Sequence, residues 1–281
     1  MAMTSLHDLH RPLGSTGLRV SPLGLGTVKF GRDQGVKYPN GFTIPDDASV
    51  RRLLDQARDL GINLIDTAPA YGSSETRLGP LLRGQRQDWV IVSKVGEEFD
   101  NGHSHFDFSA AHTRFSVERS LKRLETDVID LVLVHSDGND LDALQAGVYD
   151  TLAALKTEGK IRGYGLSGKT VAGGLQALVS GDCAMVTYNL NEQAERPVLD
   201  YAAEHGKAIL IKKALASGHA CLQNGEDPVQ ASFRLIFSHP AAASAIVGTI
   251  NPHHLSHNVS TAAAIIRASV RVCCRCTRGC E

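Results

Sequence analysis

One unit recurs along this chain. A short apolar run stops on a polar residue, an irregular stretch follows, and then apolar residues return at helical spacing. The short runs fall at 23–26, 63–66, 90–94, 129–135, 161–167, 184–187, 208–212 and 245–247. They are apolar on both parities, as strands must be when both faces are buried. Helix patterns lie between them at 46–60, from Ser74 onward, and at 116–124, 150–158, 197–204, 228–237 and 252–264. In the first, Val50, Leu53, Leu54, Ala57 and Leu60 form one stripe behind an acidic start. Pro197, Pro228 and Pro252 suit first helical turns.

Strict alternation of strand and helix calls for parallel strands with right-handed crossovers. The 281 residues match a single barrel of this kind, which takes about 250. An open nucleotide-binding sheet fits less well, because Gly24-Leu25-Gly26-Thr27 does not continue as a G-x-G-x-x-G turn. The expected fold is therefore α/β, a (β/α)8 barrel of the TIM type. A small N-terminal β-hairpin over 13–22 precedes it, turning at a glycine.

Composition narrows the function. Hydrophobic residues make up 42% and charged residues 21%, which is ordinary for a globular domain. A net charge of -1 gives nucleic acid or an acidic membrane nothing to hold. No apolar run approaches the roughly 18 residues of a membrane span. The first residues lack a basic flank followed by an apolar stretch, so a cytoplasmic location is expected. None of the 6 cysteines precedes Cys183, which excludes a disulfide framework for the whole fold.

Three strand ends carry reactive groups. Asp66 ends one run and Tyr71 follows it at D-x4-Y spacing; Lys94 and His135 end the next two. In a parallel barrel such ends gather on one face. A lysine about 4 Å from a phenol favours the phenolate by about 4 kcal/mol. The pKa of Tyr71 is thus expected to fall from about 10, by up to about three units less the opposing cost of burial. Asp66 would hold Lys94 charged, and His135 would donate to a carbonyl oxygen. Taken singly, these residues have ordinary readings: a helix cap, a packing tyrosine, a solvated lysine, a core histidine. Together on three successive strands they are the equipment for reducing C=O to CH–OH, with the hydride coming from a cofactor.

The run Asp66-Thr67-Ala68-Pro69-Ala70-Tyr71-Gly72-Ser73-Ser74-Glu75 resembles the aldo-keto reductases. Supporting matches are Ser93-Lys94, Val134-His135, Gly159-Lys160-Ile161-Arg162, Gly165-Leu166-Ser167 and Tyr188-Asn189. The likeness runs from Leu13 to about Asn258. It implies one domain over 1–269, a catalytic tetrad of Asp66, Tyr71, Lys94 and His135, and Tyr71 as proton donor. It also implies a nicotinamide dinucleotide extended across the face where the strands end.

By the same resemblance, Gly26, Thr27 and Asp66 lie along the nicotinamide ribose and Ser167 meets the carboxamide. Leu215 and Ser217 follow the pyrophosphate, Gly248, Thr249 and His254 face the 2′-phosphate region, and Asn258 meets adenine. The chain departs from the family pattern at Gly168, at Met185 and at Lys212, where the family carries an asparagine, a glutamine and a stacking aromatic. Relatives that bind NADP commonly place lysine and arginine where Gly248 and His254 stand. NADP(H) is the expected cofactor and NAD(H) the alternative.

The implied substrate is a small carbonyl, alcohol or sugar, and the implied state a monomer or small homo-oligomer. Rival readings are a non-catalytic NAD(P)-binding sensor and a barrel isomerase or lyase. Phe30, Tyr38, Phe42, Phe99, Phe106 and Phe108 lie in the stretches expected at the mouth. His103 and His105 have no third ligand in view, so no metal is expected. Residues 270–281, with Cys273, Cys274, Cys276 and Cys280, lack core periodicity and are expected to lie outside the fold.

Overall fold

The computed structural model describes residues 5–219 and 226–276. Eight strands form a closed parallel barrel: β1 (Leu23–Gly26), β2 (Leu64–Asp66), β3 (Val90–Val95), β4 (Ile129–His135), β5 (Ile161–Ser167), β6 (Cys183–Thr187), β7 (Ala208–Lys212) and β8 (Ala242–Val247). Each pairs with its successor and β8 pairs with β1. One longer helix follows each strand: α1 (Asp47–Asp59), α2 (Ser74–Leu81), α3 (Ala110–Arg123), α4 (Tyr149–Thr157), α5 (Val171–Ser180), α6 (Arg196–Glu204), α7 (Pro228–Phe237) and α8 (Pro252–Cys276).

Side-chain alternation explains why the strands are apolar throughout. Leu64, Val92, Leu131, Leu133 and Leu210 fill the barrel interior. Their neighbours Ile65, Ile91, Val132, Val134 and Ile209 face the helices. The helix α1 starts where the Asp46 carboxylate accepts from the Ser49 backbone N–H at 2.7 Å, and it buries Val50, Leu53, Leu54 and Ala57.

The N-terminal hairpin pairs Arg11–Pro12 with Arg19–Val20. Leu13 and Val20 join the inner cluster, and Arg11 donates to the carbonyl of Ala242, the first residue of β8, at 2.8 Å. This hairpin seals the end where the strands begin and leaves the opposite face for a ligand.

The structure corrects three local expectations. The stretch expected as irregular over 97–108 contains an antiparallel hairpin, Glu97–Asp100 with His103–Phe106. Helix α5 has no counterpart in the sequence reading, because Gly173 and Gly174 lower its propensity by about 1 kcal/mol each. Those glycines serve packing: a Cβ at Gly174 would lie 2.8 Å from Val198 Cγ2 on α6. Helix α8 extends beyond its expected end at residue 264 to Cys276. Cys221 and residues 277–281 lie outside the described residues. Among the described residues, no helix is long and apolar enough to cross a membrane.

Candidate active site

The strand ends converge on a cavity of about 1050 Å³, and Asp66, Tyr71, Lys94 and His135 all line it. Lys94 is buried, and its Nζ donates to Asp66 Oδ1 at 2.6 Å and to the Thr67 carbonyl at 2.9 Å. Tyr71 sits in the turn after β2. There Gly72 has φ +62°, and a Cβ on it would lie 2.1 Å from the Gly31 carbonyl oxygen. That close approach, open to glycine alone, fixes the backbone carrying the phenol. The Tyr71 hydroxyl makes a long contact to Asp66 Oδ2 at 3.4 Å. Lys94 Nζ lies 4.7 Å from the centre of the Tyr71 ring, and the His135 ring stands edge-on to it with centroids 6.3 Å apart.

The electrostatics reverse the expected phenol shift. Burial, and then the negative charge of Asp66, push the Tyr71 pKa well above its ordinary value of 10.0. The Lys94 ammonium is paired with Asp66 and the Thr67 carbonyl, and the Asp66 charge beside the phenol works against ionisation. Tyr71 is therefore held as a neutral phenol, able to donate a proton and resistant to losing one to solvent.

Glu97, on the hairpin after β3, has no place in the sequence reading. Its Oε2 lies 2.7 Å from His135 Nδ1, on a line away from that of a linear N–H···O bond. Ser104 Oγ donates to its Oε1 at 2.6 Å, and Arg32 approaches to 3.8 Å. Burial opposes the Glu97 charge, yet His135, Ser104 and Arg32 prevail and hold its pKa down to about 2. Burial lowers the His135 pKa; Glu97 opposes that fall, while Lys94 and Lys212 add to it. No composition or spacing rule links positions 97 and 135, and the nearest signal is a carboxylate two residues after a strand that ends in Lys94-Val95.

The remaining predicted positions also reach the cavity wall: Gly26, Thr27, Ser167, Lys212, Leu215, Ser217, Gly248, Thr249, His254 and Asn258. Thr27 uses its hydroxyl to donate to the Asp66 carbonyl at 2.9 Å, which braces the end of β1 against β2. Lys212 Nζ donates to Ser167 Oγ at 3.3 Å and to the Gly168 carbonyl. Burial pulls the Lys212 pKa down to about 8. In the loop that follows, Lys213, Ala216 and Ser217 all have positive φ, and Asn189 Nδ2 donates to the Lys213 carbonyl at 3.0 Å. Strain gathered in one loop at a cavity is typical of ligand sites.

Of the six aromatics expected at the mouth, Tyr38 lines the cavity. Its ring lies 3.9 Å from Lys29 Nζ, and Phe42 packs edge-on against it. Phe30 is fully buried instead, Phe99 lies under the Arg32 guanidinium, and Phe106 packs on Phe108. His103 and His105 are exposed on the hairpin.

The cavity fits a phosphate-bearing dinucleotide. Lys29, Lys37, Lys169, Lys212 and Lys213 supply positive charge along its wall, against the carboxylates of Glu192 and Glu195. Hydroxyl donors stand at Ser167, Ser217 and Thr249. Gly26 and Gly248 leave the wall open: a Cβ on Gly248 would come within 3.1 Å of the Tyr38 hydroxyl.

The comparisons with known proteins agree with this geometry. Residues 22–221 match the model of the aldo/keto reductase family. A solved aldo-keto reductase structure from Pseudomonas aeruginosa is 71% identical, superposes with a TM-score of 0.86, and aligns over 93% of this chain and 98% of its own. L-galactose dehydrogenase of Arabidopsis thaliana is 31% identical over 224 residues, 74% of this chain and 66% of the relative. D-threo-aldose 1-dehydrogenase of a Pseudomonas species is 30% identical over 234 residues, 73% of this chain and 68% of the relative. The chain spans about half to two thirds of the length of the first curated relatives it matches. With the barrel, the site and these likenesses in agreement, the chain belongs to the aldo/keto reductase family.

Proposed function

We propose that this chain is an NAD(P)H-dependent oxidoreductase that interconverts an aldehyde or ketone and its alcohol, or oxidises a sugar, with Tyr71 as proton donor. The observation that carries the reading is the convergence of Tyr71, Asp66, Lys94 and His135 on one cavity whose wall is also rich in lysine. A bound nicotinamide dinucleotide would supply the hydride. Ser167, Lys212, Leu215, Ser217, Thr249, His254 and Asn258, which line the cavity, would hold it, with Gly26 and Gly248 leaving room. The start of α8 would favour a phosphate. NADP(H) is favoured over NAD(H) on the resemblance, and the sugar dehydrogenases among the relatives support a sugar or a small carbonyl as substrate.

Tyr71 presents a protonated hydroxyl to a carbonyl oxygen, and Lys94, fixed by Asp66, keeps the phenol ring in place from its face. His135 orients the same oxygen. Two experiments test the reading. Fluorescence titration with NADPH and NADH asks whether either binds; binding of neither defeats it. Tyr71→Phe should then slow turnover by about 10²–10⁴-fold with cofactor affinity nearly unchanged. Full activity in that variant would refute the donor role, and tight cofactor binding with no turnover across a broad carbonyl panel would favour a sensor.

A further inference from the structure

We propose that Glu97 is a positioning residue that acts through His135: it keeps the hydrogen of the imidazole on Nδ1 and turns Nε2, as an acceptor, to the cavity. The inference rests on the oxidoreductase reading for its kinetic consequence, and on geometry alone for the state of the ring.

An ionised carboxylate accepts hydrogen bonds and donates none. Glu97 Oε2 is 2.7 Å from Nδ1, off the line of a formed hydrogen bond yet near enough that a lone pair on Nδ1 would stand against a second acceptor. Nδ1 is buried, which leaves Nε2 as the ring nitrogen available to a molecule in the cavity that His135 lines. Glu97 is itself pinned. Ser104 and Arg32 hold its carboxylate, and the ring of Phe99 lies 3.4 Å from the Arg32 guanidinium carbon. Its neighbour Glu98 turns the other way, as strand alternation requires, and ties the hairpin to α3 through Arg119 and His112. The groups facing His135 are Glu97 from the hairpin, Arg32 behind it, Lys94 from β3, Asp66 and Tyr71 from β2 and its turn, and Lys212 from β7.

The hydrogen-bonding sense at Nε2 then depends on the charge of the ring. A neutral His135 offers Nε2 as an acceptor, which suits a substrate hydroxyl. A protonated His135 offers Nε2–H, which suits a carbonyl oxygen. The two cationic neighbours and burial favour the neutral ring, so the resting site is set to receive an alcohol or a sugar hydroxyl. Glu97, 2.7 Å from Nδ1, supplies the carboxylate that lets protonation reverse that sense.

The test is nitrogen-15 NMR of histidine-labelled protein across pH, with Glu97→Gln beside the wild type. In the wild type, Nδ1 should keep a protonated signal throughout while Nε2 titrates. In Glu97→Gln the ring should titrate at lower pH, by about one unit or more, because the amide carries no charge to hold the imidazolium. A wild-type Nδ1 without hydrogen above the titration, or a variant ring that titrates at the wild-type pH, overturns the proposal. The wild-type titration decides even if the variant does not fold. In kinetics, wild-type reduction should slow by up to about tenfold per pH unit as His135 deprotonates, with oxidation gaining over the same range. Glu97→Gln should flatten the reductive limb, and an identical limb in both proteins counts against the proposal. If no carbonyl or alcohol turns over in the wild type, the functional reading fails, while the NMR result still judges Glu97.

Discussion

Lys94 and Asp66 form an ion pair at 2.6 Å, with side chains 2% and 5% exposed. At that burial the pair is costly to break and offers little net stability if replaced whole. Lys94→Met leaves the Asp66 carboxylate without its cation and should cost about 3–5 kcal/mol in urea unfolding. Adding Asp66→Leu should restore much of that stability while activity stays abolished. Equal losses in the single and double variants would show that the pair is not coupled.

Tyr38 predicts an alkaline loss of stability. Burial, then Asp66, raise its pKa from 10.0 to about 12. Below pH 10 both folded and unfolded states keep the proton. Above it the unfolded chain ionises first, so stability falls until the folded phenol titrates near pH 12. Allowing for its partial exposure, the loss should be about 1–2 kcal/mol. Unfolding midpoints at pH 9 and pH 11 should converge in Tyr38→Phe by that amount.

Glu97 predicts the opposite limb. Its pKa falls from 4.5 to about 2 under His135, Ser104 and Arg32, which prevail over burial. The stability it lends is present above pH 4.5 and is lost as pH falls toward 2, on the order of 2–3 kcal/mol. Glu97→Gln should therefore be less stable than the wild type at pH 6 and lose less on acidification, as read by chemical unfolding at each pH.

Lys212 ties ligand binding to pH. Burial lowers its pKa to about 8, so its charge fades just above neutrality. NADPH affinity should fall by up to about tenfold as pH rises past that point, the weight of one charge-assisted hydrogen bond. Lys212→Met should bind more weakly at pH 7 and lose the pH dependence. Fluorescence titration at pH 6.5 and pH 9 gives the answer.

Gly72→Ala tests the backbone under Tyr71. A Cβ there meets the Gly31 carbonyl at 2.1 Å with φ already positive, so the turn must move. Turnover should drop by about 10²-fold through displacement of the phenol, with cofactor affinity held. An unaffected turnover would mean that the turn does not set the phenol's position.

The amino-acid sequence alone determined the barrel. Leu131, Val132, Leu133 and Val134 are apolar in succession because alternate side chains face an interior and a helical layer, and that pattern survives in one dimension. It also determined which strands deliver Asp66, Lys94 and His135 at or within one residue of their ends, since a strand end is a local event. Tertiary structure decided what local pattern cannot encode. Glu97 meets His135 across 38 positions, from a polar hairpin whose exposed residues leave no periodic trace. Helix α5 hides behind two glycines whose value lies in the contacts they permit with Asp140 and Val198. The direction of the Tyr71 shift was settled by burial and by the charge of Asp66 beside it, because desolvation and distance belong to the folded molecule.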